Sequence, residues 1–295
     1  MKELCLMGNI PFITFMVMSV AVAMAREDIG QGGPLADFQQ GSQALELLKE
    51  GRQLADSGNS TRALMQYRQA LKIFRDVGDS TGIANCLLDI GNAHFHLEQY
   101  GKAVQCYEEA KGHFRRLNNT AAVTICLQNI ASSLYNWGRY EEALPIFQDL
   151  DNREGCALCL KAIGRDYFEA GKYQESIEVY TQASAIFHQL GRPQDEVLCQ
   201  RNIGAAHFWL GRYDEALIQY EEALAYYQQT GDSLEIGQGL ECVGQAKFKL
   251  NRYEEAISDY HEAADLFHRY GKLDKEALCR RNLGALYFEL HKFPH

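Results

Sequence analysis

Four arrangements of side chains in this chain have the residue types to do chemistry. Cys156-Ala157-Leu158-Cys159 has the spacing of two thiolates on a metal ion, and His94-Phe95-His96 brings two imidazoles close together. His261-Glu262 begins like the helix of a zinc protease, and Gly30-Gln31-Gly32-Gly33 resembles the start of a phosphate cradle. Each falls short. A structural zinc site needs four ligands, and no second cysteine pair or neighbouring histidine completes the set. On a helix, residues two apart point to nearly opposite sides, which sends His94 inward and His96 outward. The place of the second protease histidine holds Asp265, and the glycine run is too short for a phosphate loop. No catalytic constellation, metal site or cofactor is expected.

What remains suits binding rather than transformation. Lys161, Arg165, Arg201 and Arg281 are cations in a chain of net charge −10. Around them in sequence lie the aromatics Phe95, Tyr135, Phe168, Phe208, Trp209 and Phe248 and the amides Gln128, Asn129, Asn202, Gln245 and Asn282. Cations of this kind hold carboxylates by charge-assisted hydrogen bonds. Whether they act together depends on the elements that carry them.

Those elements repeat. An aliphatic residue, a glycine and an aromatic four places on recur at Gly91, Gly204, Gly244 and Gly284, with Gly51 and Gly164 in the same frame and Ala131 filling the slot once. The steps are 40 residues from Gly51 to Gly91, 40 to Ala131, 33 to Gly164, then 40, 40 and 40. A fixed period of this size means stacked helical units. Before the break at Gly211-Arg212 apolar residues recur every three or four places, and a second such pattern starts at Tyr213, so each unit reads as helix A, turn, helix B. Acidic pairs such as Glu141-Glu142, Asp214-Glu215 and Glu254-Glu255 open helix B, where they favour the helix dipole. Gly78, Gly191 and Gly231 close it, which suits a left-handed cap.

Leu87…Ile90-Gly91…Phe95…Leu97…Tyr100…Ala103…Tyr107…Ala110 resembles the tetratricopeptide repeat (TPR), and variants recur over residues 40–295. The 40-residue period is similar to that of Leu-Gly-Asn repeat proteins, kinesin light chain and bacterial TPR arrays. The resemblance implies an all-α, right-handed superhelical solenoid of antiparallel helix pairs, six full units and a terminal helix, near 44–79, 84–119, 124–152, 157–192, 197–232, 237–272 and 277–295. The extra length falls in helix B, whose added turn carries Phe74, Phe114, Phe187, Tyr227 and Phe267. In the resembling proteins a ligand lies along the concave face lined by helices A. On that face Phe95, Tyr135, Phe168, Phe208, Phe248 and Phe288 form a row, read either as fold-supporting aromatics or as a ladder for a peptide's apolar side chains. Asn129, Asn202 and Asn282 are similar to asparagines that hold a peptide's main chain there, in three of seven units. The function implied is non-catalytic: a scaffold or adaptor binding an extended, acidic peptide of another protein.

Two departures stand out. The third unit is short, reading Phe147-Gln-Asp-Leu-Asp-Asn-Arg-Glu-Gly155, so its helix B loses about two turns, with Pro145 near its start. The last helix A keeps Leu283, Gly284, Tyr287 and Leu290 where a polar cap is usual, which gives the alternative of self-assembly through that helix.

The net charge of −10 excludes a dominant basic surface for nucleic acid or anionic membrane. From Leu4 to Ala25 no residue is charged, and Ala23-Met24-Ala25 is a small-x-small site. Residues 1–25 therefore read as a secretory signal peptide, or as an anchor over 4–25, followed by a linker at 26–39. Cys86, Cys126, Cys159, Cys199 and Cys279 share one place in the frame, about 8–10 Å apart in neighbouring units by helix packing. That exceeds disulfide reach, so they are expected to act as small core residues. Asn59-Ser-Thr61 and Asn118-Asn-Thr120 are glycosylation acceptors if the chain enters a eukaryotic secretory route.

Overall fold

The structure, a computed structural model, describes residues 34–292. The expected signal or anchor at 1–25 lies outside the described residues. Of the stretch assigned to a linker, residues 34–39 are helical, because Pro34 opens the first helix at the position where its fixed φ and missing N–H are tolerated.

Thirteen helices and no strand are present among the described residues. They are α1 (Pro34–Asp56), α2 (Ser60–Asp76), α3 (Ser80–His96), α4 (Tyr100–Arg116), α5 (Thr120–Asn136), α6 (Tyr140–Asp149), α7 (Arg153–Glu169), α8 (Tyr173–Gln189), α9 (Pro193–Trp209), α10 (Tyr213–Thr230), α11 (Ser233–Lys249), α12 (Tyr253–Arg269) and α13 (Leu273–Lys292). Odd-numbered helices are helices A and even-numbered ones helices B. The chain forms two compact units, one up to Thr120 and one from Ala121. In the first, α1 to α4 pack each on the next. In the second the same consecutive packing runs from α6 to α13.

The repeated glycine explains how helices A and B approach. A methyl group on Gly91 would come within 2.5 Å of the Tyr107 ring, and one on Gly204 within 2.8 Å of Tyr220. The tyrosine of helix B thus lies directly on the glycine of helix A, and any side chain there displaces it. In the third repeat Phe147 instead lies against Gly155 of the next helix A, and the slot holds the fully buried Ala131. Phe74, Phe114, Phe187, Tyr227 and Phe267 are all buried, the second layer that the lengthened helix B adds.

Every turn contains one left-handed residue, and eight of the twelve are glycine. Glu98, Asn118, Asp151 and Asn251 take the same conformation without glycine's freedom. α6 has 10 residues against 17 in α4 and α8, which is two turns less. Pro145 sits inside α6, in its second turn, where it removes one backbone hydrogen bond.

Candidate functional site

Helical spacing places the sequence-predicted residues on one face of the A helices. Phe95 and its surroundings belong to the first unit; all the other predicted residues lie in the second.

The aromatic row clasps the turns. Phe95 meets Tyr100, Tyr135 meets Tyr140, Phe168 meets Tyr173, Phe208 meets Tyr213 and Phe248 meets Tyr253, with ring centroids 5.3–5.8 Å apart. Each ring of helix A rests on the tyrosine that opens its own helix B, mostly edge to face, the arrangement favoured by ring quadrupoles. All five remain half-buried, so the part not used in the clasp is open to solvent. Trp209 differs: it is 63% exposed and lies nearly parallel (14°) to Tyr173 at 6.2 Å.

Three of the four cations are already answered within the chain. Lys161 Nζ donates to Asp195 at 2.6 Å, and Arg201 Nη1 to Glu235 at 2.5 Å, both partners being on the next helix A. These pairs are half-buried and hold successive A helices in register. Arg165 donates to Asp166 at 3.0 Å and to the Tyr140 hydroxyl at 3.3 Å, with Glu169 at 3.8 Å. The fourth, Arg281, is exposed and has no ion pair among the described residues.

The asparagines are engaged too. Asn202 shares a hydrogen bond with the Tyr180 phenol, and Asn282 with that of Tyr260. Burial drives the Tyr180 phenol up to about 12, so it stays a neutral donor and acceptor at any ordinary pH. Where helix B carries Phe147 and no hydroxyl exists, the asparagine's place on the following helix A holds Ala162. At Tyr180 and Tyr260 this pairing of hydroxyl with amide ties a helix B to the next A, whereas the same place beside Tyr220 holds Cys242 and beside Tyr67 holds Asp89. Gln128 is exposed, Asn129 half-buried, and Gln245 donates to Glu241 at 3.1 Å.

The residues with open capacity gather at one place. Phe208, Gln245, Phe248, Lys249, Arg281 and Asn282 line a cavity of about 250 Å³ on the A-helix face of α11 and α13. Lys249 lies over the Phe248 ring at 6.0 Å and, like Arg281, has no ion pair among the described residues. Two cations beside two aromatic faces and two amides can hold a carboxylate next to an apolar side chain. Sequence reasoning missed Lys249, although it holds the frame position of Trp209 one repeat later.

The remaining sequence candidates belong to the core. His94 is buried, with Nδ1 2.9 Å from Gln99 Oε1, and burial holds its imidazole below the ordinary value. Cys86, Cys126, Cys159, Cys199 and Cys279 are completely buried. Burial pushes the thiols of Cys86, Cys159, Cys199 and Cys279 up to about 12, which leaves them protonated and unreactive.

Comparison with known proteins agrees with the repeat. A family model for the tetratricopeptide repeat matches residues 43–116 and 123–189. A second, for the soluble NSF attachment protein (SNAP), matches residues 162–270. No curated protein matches the chain. Among solved structures, this chain is similar to BtubC (BKLC) from P. vanneervenii, at 18% identity over 80% of this chain and 92% of that one, with a TM-score of 0.48. It is also similar to the apo form of RapI, at 16% identity over 85% and 99% of the two chains, TM-score 0.45. The apo form of the quorum sensor NprR from B. thuringiensis is similar at 18% identity over 85% and 77%, TM-score 0.42.

Proposed function

The chain is a member of the tetratricopeptide-repeat family, and on that premise we propose that it is a non-catalytic scaffold that binds an extended, acidic segment of another protein. The segment lies on the A-helix face of α11 and α13. One observation carries this reading: Lys249 and Arg281 are free of ion pairs among the described residues and flank a cavity walled by Phe208 and Phe248. Lys161, Arg165 and Arg201 meet carboxylates of their own chain and contribute little net attraction. Trp209, one repeat away on the same face, is placed to report on occupancy by its fluorescence.

The test is a titration with a short peptide carrying paired carboxylates and one aromatic residue, followed by Trp209 emission. Lys249→Glu with Arg281→Glu is expected to weaken binding at least about a hundredfold at low salt, since each of the two charge-assisted contacts is worth roughly 1.5–3 kcal/mol. Equal affinity in the native and reversed chains at unchanged helicity would reject this site. Export by residues 1–25 is part of the proposal, and N-terminal sequencing of the mature chain decides it.

Self-association is the second reading, favoured by exposed apolar residues on α13: Leu273 at 69%, Tyr287 at 43% and Phe288 at 65%. A methyl group on Gly284 would meet nothing within 4 Å, unlike those at the other slot glycines. Sedimentation across a concentration series tests it, and a constant monomer would dismiss it.

A further inference from the structure

The opposite side of α9 carries a second feature that the groove does not use. Glu196, Gln200, Ile203 and His207 follow each other at intervals of four, three and four, one stripe turned away from Arg201 and Phe208. This stripe floors a furrow between α8 and α10 with a cavity of about 580 Å³.

The furrow is open because two residues that fill its counterpart elsewhere are replaced. One repeat later, over α11, the places of Ser184 and Gln200 hold Leu224 and Leu240, 8% and 4% exposed and packed in one apolar cluster with Val243. In the first unit they hold Leu71 and Leu87, also buried. Leucines there stabilise the stack by burying apolar surface. Serine and glutamine over α9 forgo that gain and leave a depression with an apolar floor, Ile177 and Ile203, and polar walls.

Hydrogen-bonding capacity is unspent in the same place. Over α11, Lys247 Nζ lies 2.8 Å from Asp259. The equivalent pair over α9 is His207 and Gln219, and His207 Nδ1 is buried with no partner. The fully charged groups lining the furrow are both carboxylates. Glu196 meets His188 at 3.1 Å, and the exposed Glu222 has no ion pair among the described residues. No lysine or arginine lines it.

We propose that the furrow over α9 is a second docking site, which takes a segment of a partner protein carrying a lysine or arginine. The cation meets Glu222 and Glu196, small apolar groups sit on Ile177 and Ile203, and main-chain amides meet Gln200 and Gln219. Among the described residues the A-helix face of the same unit offers two cations without an ion pair, and this side a carboxylate without one, Glu222, beside the His188-bound Glu196, so the two sides select segments of opposite charge.

The experiment presents immobilised short peptides, each with one central arginine flanked by serine, glutamine and small apolar residues, beside copies in which citrulline replaces arginine. The native chain should retain a subset of the arginine peptides, about tenfold more tightly than the citrulline copies. Ser184→Leu with Gln200→Leu, which fills the furrow as the next repeat does, should abolish retention while the thermal midpoint stays equal or rises. The exposed Glu222→Lys should weaken retention similarly, and it decides the matter if the double variant does not fold. Lys249→Glu with Arg281→Glu should leave retention intact. Retention unchanged by filling or by Glu222→Lys, no preference for arginine over citrulline, no retained peptide, or loss only on reversing Lys249 and Arg281 would each overturn the proposal. The first three of these outcomes leave the acidic-segment site standing, whereas the last would count against its charge preference.

Discussion

The repeats α9–α10 and α11–α12 share a frame and a turn plan, yet the outer furrow is closed over α11 and open over α9. Both set a glycine of helix A against a tyrosine of helix B, Gly204 on Tyr220 and Gly244 on Tyr260. Both clasp the turn with a phenylalanine on a tyrosine. They part at positions the helix pair itself does not need: Gln200 against Leu240, His207 against Lys247, Gln219 against Asp259. In these two repeats the positions that build the pair keep one chemistry, and the positions between neighbouring pairs are where one differs from the next.

The largest break in this comparison comes from giving the closed repeat the open one's residue. Leu240→Gln places an amide in a leucine cluster and should destabilise the chain by about 3 kcal/mol in urea unfolding. Gln200→Leu should stabilise it by about 1 kcal/mol. Equal, near-zero effects would mean that the two furrows are not equivalent.

The slot glycines give the next contrast. A methyl group on Gly204 would come to 2.8 Å from Tyr220 and 3.1 Å from Gln219, whereas on Gly244 the nearest atom is 3.2 Å away. Gly204→Ala should cost about 1–2 kcal/mol, because the ring must move. Gly244→Ala should fall within about 0.5 kcal/mol of native, the tighter contact being offset by alanine's helix propensity. The same urea midpoints measure both.

His207 supplies the pH contrast. Burial, then Arg212, holds its imidazole below the ordinary 6.5. Between that lowered value and 6.5 the unfolded chain binds more protons than the folded one, so this group makes stability fall as pH falls through 6.5. His207→Leu, with Leu134 already at the equivalent place in the third repeat, should raise stability at pH 7 by about 1 kcal/mol. It should also flatten the acid side of the stability profile; an unchanged slope would show that His207 stays solvated.

The smallest effect lies in the turns. Gly211 and Asn251 hold the same left-handed position, at φ 77° and 60°. Asn251→Gly should gain no more than about 0.5 kcal/mol, while Gly211→Ala should cost about 1 kcal/mol. Thermal midpoints resolve the sign of each.

Much of this architecture was legible in the residues before any coordinates. The period through Gly91, Gly204 and Gly244 announces helix pairs, because a helix cannot bring a tyrosine onto its neighbour unless a glycine recurs there. The missing residues before Gly155 announce a short α6, and the spacing around Gly204 assigns Phe208 and Arg201 to one face. The cationic face itself was misread in weight. Lys161 and Arg201 look free in sequence because Asp195 and Glu235 lie 34 residues away. Lys249 was passed over because nothing local marks it as unpaired.

The sequence by itself determined what repeats: helix lengths, the glycine-on-tyrosine contact, left-handed turns and a buried layer of Phe74, Phe187 and Phe267. These follow from spacing within one unit, where partners sit at fixed offsets along the chain. Only the tertiary structure decided which charges remain unanswered, that Asn202 and Asn282 serve tyrosines, and that the furrow over α9 is open. Those facts depend on the register between one helix pair and the next, and a contact across that register is set by packing in space.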